Sequence, residues 1–133
     1  MLLALRLFFA AILLSMLAIT SWASLQCPLF AVPRDVATHP WFLATLLDAY
    51  WGFLTFYVWV AYRQTSLVAR IAWLLAVLLL GNIAMAAYCL ALLLRATPET
   101  RLSDLLVSRD SRRSVLGLTL ASAGLLVIGL AAT

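Results

Sequence analysis

Charge is what this chain has least of: 11% of its 133 residues are charged and none is lysine, while 66% are hydrophobic. So few polar side chains cannot cover that much apolar material in water, which excludes an ordinary soluble globular fold. Cysteine is almost as scarce. Cys27 and Cys89 form no C-x-x-C pair and no Cys/His ligand spacing, so two separate buried thiols are expected, with no metal site and no disulfide. A single histidine, His39, excludes a bis-histidine haem and is expected to be solvated beside Pro40 and Trp41. Paired carboxylates, a Ser/His/Asp order, H-E-x-x-H and a glycine-rich phosphate loop are all missing. No catalytic constellation is left, which weighs against an enzyme without deciding the question, and no cofactor is expected.

What is present is apolar sequence in long runs, with a mean hydropathy of +1.10. A hydrocarbon core about 30 Å thick takes about 20 helical residues to cross, so four crossings would use most of the chain. Four runs have that character: residues 7–25, 41–62, 71–94 and 115–132. Each reads as a helix, because backbone groups in lipid must be satisfied within their own segment and the alternation of a barrel is absent. The fold class expected is therefore an all-α membrane protein, one domain built as a bundle of four transmembrane helices, in a bacterial inner (plasma) membrane.

The nine basic residues are all arginine and give a net charge of +4. They flank the apolar runs as membrane anchors and form no basic face with interleaved aromatics, so nucleic acid is not expected as a partner. With four spans, Arg6, Arg63 and Arg70 fall on one side and Arg34, Arg95, Arg101, Arg109, Arg112 and Arg113 on the other. Three against six favours the first and third loops on the cytoplasmic side.

The first run, preceded by Arg6 and carrying the small residues of Ser21-Trp22-Ala23 near its end, has the shape of a signal peptide as well as of a span; a retained helix is the expectation. Three of the four prolines, Pro28, Pro33 and Pro40, mark the first loop. Residues 63–70 are too few and too polar to be more than a turn between antiparallel neighbours. Residues 100–110 carry leucines at helical spacing and read either as a short amphipathic helix in the headgroup plane or as a solvated loop.

Small residues recur at helical spacing in two runs: Ala11, Ser15 and Ala18 in the first, Gly117, Ala121 and Gly124 in the fourth. Such strips let helices approach closely in lipid, where no hydrophobic force drives them together.

The second run is unusually aromatic and contains Asp48, the only acidic residue in any of the four. A charged carboxylate in hydrocarbon is costly unless it is neutral, paired or wet. Thr45 and Thr55 share its helix face, and Asn82 and Tyr88 of the third run stand near its height in an antiparallel neighbour. These five residues form a candidate polar cluster, either a structural clamp or a site that polarises a ligand.

The same hairpin carries a recognisable pattern: Asp48-Ala49-Tyr50, then Val58-Trp59-Val60-Ala61-Tyr62-Arg63, then Gly81-Asn82. In these features residues 1–95 resemble a family of small integral membrane proteins catalogued as a domain of unknown function. The resemblance implies no activity, cofactor or catalytic residue. From the residues, the leading expectation is a helix-packing accessory subunit or scaffold, with the lipid bilayer and another membrane protein or a second copy as partners. The alternative is a binding or transport module for a small hydrophobic or protonatable molecule centred on Asp48.

Overall fold

The computed structural model describes residues 1–97, 100–109 and 115–131. The fold is all-helical. Its elements are α1 (Leu2–Gln26), a 3-10 turn (Leu29–Ala31), α2 (Arg34–Ala37), α3 (Pro40–Arg63), α4 (Leu67–Leu80), α5 (Asn82–Leu94), α6 (Leu102–Val107) and α7 (Val115–Ala131). Two helices, α1 and α3, are long and apolar enough to cross a membrane. Pro40 opens α3 at a position where the missing amide costs nothing.

The expected helix over residues 71–94 is two helices. Gly81 lies between α4 and α5 with φ 52° and ψ −125°, a conformation that suits the first central residue of a type II′ turn. A side chain there would be strained, and a Cβ would lie 2.6 Å from the Phe53 ring of α3. The chain doubles back at this point. Trp73 and Tyr88, eight residues before and seven after Gly81, meet edge to face with ring centroids 4.7 Å apart. At 1.5 Å per residue each arm is about 20 Å long, shorter than a bilayer core.

Packing follows from this reversal. Helix α1 lies against α5, α3 against α4, and α7 against α4. Arg6 donates to the carbonyls of Leu93 and Ala96 at 2.8 to 3.1 Å, which sets the start of α1 beside the end of α5 and satisfies carbonyls that a helix terminus leaves open. Leu2, Leu5, Phe9, Ile12 and Met16 form the half-buried stripe of α1, at steps of three and four. Beyond Met16 that stripe stops, because α5 stops.

In α7 the buried residues are Gly117, Ala121 and Gly124. A Cβ on Gly124 would sit 2.9 Å from that of Leu79, so the glycine permits a close crossing near the tip of the α4–α5 hairpin. The core between these contacts is Val60, Trp73, Ala76, Val77, Ala84, Tyr88 and Ala121.

The hairpin also redistributes charge. Arg95 returns to the end of the molecule that holds Arg6, Arg63 and Arg70, and the segment carrying Arg101 and Arg109 is tied to that end through Trp59 and Arg63. The three-against-six division expected from four spans therefore does not hold. Six of the seven described arginines share one end and Arg34 stands at the other; Arg112 and Arg113 lie outside the described residues.

Candidate functional site

Helix α3 ends in Arg63, and the next residue, Gln64, begins the turn into α4. Both are 3% exposed, the only buried polar or charged side chains among the described residues outside the aromatic core. The turn is held by Arg70, whose Nε donates to the Gln64 carbonyl at 2.8 Å, and by the Tyr57 hydroxyl, which donates to the Arg70 carbonyl at 3.1 Å. Gln64 has little freedom to leave.

The Arg63 guanidinium donates through Nε to the Ser108 carbonyl at 2.9 Å, through one terminal nitrogen to the Ser108 hydroxyl at 3.3 Å, and through the other to the Tyr88 hydroxyl at 3.3 Å. It also stands 5.6 Å from the centre of the Trp59 ring and 6.0 Å from that of Tyr88, within cation–π range. All of these partners are neutral, and among the described residues no carboxylate pairs with Arg63. A buried cation without a counter-ion is rare, because desolvation of the charge is then offset only by dipoles and ring quadrupoles.

A cavity of about 30 Å³, open on one side, adjoins this group, lined by Arg63, Gln64, Trp73, Tyr88 and Arg95 with Ala91, Leu92 and Leu116. Two polar atoms of residues that line it are buried without a hydrogen-bond partner, Gln64 Oε1 and Trp73 Nε1. An acceptor and a donor left bare at such depth each cost free energy that a bound molecule would recover.

Against this frame of contacts, the chain can be placed among known proteins. The family described as protein of unknown function (DUF1475) matches residues 2–116. The chain belongs to that family. The match takes in the arginine-rich linker beyond residue 95 and reaches the first turn of α7. No curated protein and no solved structure matches the chain.

The DUF1475 chain does not bring the five residues of the expected polar cluster together. Tyr88 is buried, but the hydroxyl contacts described for it are with Arg63 and Gln64, not Asp48. Asp48 is exposed on α3 and forms no hydrogen bond among the described residues; Asn82 is exposed at the hairpin tip. Thr45 and Thr55 are exposed and bond back to the Trp41 and Trp51 carbonyls of their own helix. The separation has a simple cause. The tip at Gly81 meets α3 at Phe53, so Asp48, about 7 Å further along α3, lies beyond the reach of α5.

Ala11, Ser15 and Ala18 are exposed and lie off the stripe of α1 that packs on α5. Both cysteines are free thiols, but only Cys89 is buried as expected; Cys27, just past the end of α1, is exposed. Among the described residues no cluster of side chains could hold a metal ion.

Sequence reasoning missed Arg63 and Gln64 by reading them as an interfacial anchor and a turn. The available signal was Trp59 and Arg63 one helical turn apart, a spacing that stacks a guanidinium on an indole.

Proposed function

We propose that this protein is a multi-pass integral membrane protein in which α1, α3 and α7 cross the bilayer while α4 and α5 enter and leave on the same side, and that it serves as a packing module for another membrane protein. The apolar exposure of α1, whose best window has a mean hydropathy of 2.5 and no buried residue, supports the membrane location. The single basic end supports an orientation with that end, and the start of α1, in the cytoplasm.

The observation that carries the partner reading is Asp48. It sits on an apolar, exposed stretch of α3, about 12 Å from the start of that helix, with no hydrogen-bond partner among the described residues. A carboxylate at mid-membrane costs on the order of 3 kcal/mol even on mild insertion scales, so a polar group from a neighbouring protein is the natural relief. Helices α1 and α3 have no substantial mutual packing, and both are exposed beyond the hairpin tip, from Leu17 to Gln26 and from Pro40 to Asp48. This leaves apolar surface on either side of Asp48 for a partner helix to cover.

The test is photocrosslinking in native membranes from positions 45 and 52, one turn to either side of Asp48. Protein adducts that vanish in Asp48→Leu and persist in Asp48→Asn support the reading. Adducts to lipid alone would contradict it.

A further inference from the structure

We propose that the cavity between Arg63, Gln64 and Trp73 is a binding site for a phosphate oxyanion bearing a neighbouring hydroxyl, taken from an anionic lipid headgroup. The wall specifies both halves of that ligand. Trp73 Nε1 is a donor without an acceptor, in a residue 2% exposed. It takes a phosphate oxygen. Gln64 Oε1 is an acceptor without a donor, in a residue 3% exposed, and it takes a hydroxyl hydrogen.

Arg63 supplies the charge. Its three hydrogen bonds all go to neutral groups, so its positive field is not cancelled by a carboxylate among the described residues; Arg95 also lines the cavity. The enclosed volume of about 30 Å³ admits the oxygen atoms of a headgroup, and the open side leaves the rest of the lipid outside. Position argues for lipid as the source: the cavity lies at the end of α3 where the arginines gather, the depth at which basic pockets between helices meet headgroups. That last step rests on the membrane reading above. The oxyanion site itself does not.

The experiment uses the full chain in a neutral detergent, with thermal unfolding and native mass spectrometry as readouts. Phosphatidylglycerol, phosphatidylcholine and inorganic phosphate are titrated separately. Phosphatidylglycerol is expected to stabilise saturably and phosphatidylcholine to leave the midpoint unchanged. Trp73→Phe, which deletes the indole N–H, and Gln64→Leu, which deletes the amide and with it the Nε2 contact to the Tyr88 hydroxyl, are each expected to weaken the apparent Kd about tenfold.

Saturation by inorganic phosphate as well, with the same dependence on residues 64 and 73, supports the oxyanion site and assigns it to free phosphate. A cavity that holds only water would show no saturable shift with either anion, and the proposal then falls. It falls equally if both variants bind within twofold of the parent. Asp48→Leu serves as the control and leaves these titrations unchanged, which separates this site from the partner surface.

Discussion

Trp73 and Tyr88 stand edge to face across the chain reversal at Gly81, one on each arm of the α4–α5 hairpin. That contact excludes a continuous helix over residues 71–94, in which the two rings would lie about 22 Å apart along the axis. From it follow the return of Arg95 to the basic end and the assembly of the Arg63 cavity.

Replacing Gly81 by alanine tests the reversal at its hinge. The backbone there lies in a region that L residues rarely adopt, and the new Cβ would press on the Phe53 ring. Gly81→Ala is expected to cost about 1–3 kcal/mol, read by denaturant titration in micelles. Trimming the ring in a Gly81→Ala, Phe53→Leu double variant should restore little, because most of the cost is in the backbone. Full restoration would assign the cost to the clash.

The glycines of α7 should separate cleanly. Gly124→Ala is expected to destabilise by about 1–3 kcal/mol through overpacking on Leu79. Gly129 has open space where its Cβ would stand, so Gly129→Ala should be neutral or stabilising by up to about 1 kcal/mol. Equal effects at the two positions would place the α4–α7 crossing elsewhere.

Arg63 ties α6 and its flanks to the end of α3. Lysine keeps the charge but cannot reach both Ser108 groups and the Tyr88 hydroxyl at once, so Arg63→Lys should cost about 1–3 kcal/mol. Limited trypsin digestion should then cut sooner after Arg101 and Arg109. Unchanged cleavage would mean that Trp59, which donates to the Leu106 carbonyl, holds the segment alone.

In the isolated chain Asp48→Leu should change stability by less than about 0.5 kcal/mol, since no partner among the described residues is orphaned. A loss of 1–2 kcal/mol in the same micelle assay would instead return Asp48 to a clamp within its own bundle.

Much of the fold was legible from local pattern. The ends of α3, the described bounds of α7 and the C-terminal end of α1 follow the boundaries of apolar runs, whereas α1 begins at Leu2, five residues before its run; the turn after Arg63 follows from its length and polarity. The small strip on α7 could be read from spacing alone, since its buried residues are those at steps of three and four. Gly81 was visible but ambiguous. A glycine flanked by leucines on one side and Asn-Ile-Ala on the other is tolerated within a helix, and only tertiary contacts decide whether the chain passes through it or turns. The site depended on that decision. Once α5 folds back, Tyr88 meets Arg63 and not Asp48, and a pairing argued from matching heights in two full-length spans cannot form.

Sidedness of the two ends of the hairpin tests the account most directly. Thr65 and Thr97 are both exposed and lie just before α4 and just after α5. In a chain carrying Cys27→Ser and Cys89→Ala, single cysteines at these two positions and at Thr38 can be labelled from either side of the membrane with an impermeant maleimide. The proposed topology predicts that Thr65→Cys and Thr97→Cys label from the same side, and Thr38→Cys from the opposite one. Labelling of positions 65 and 97 from opposite sides would mean that residues 71–94 cross the bilayer, and would contradict the hairpin.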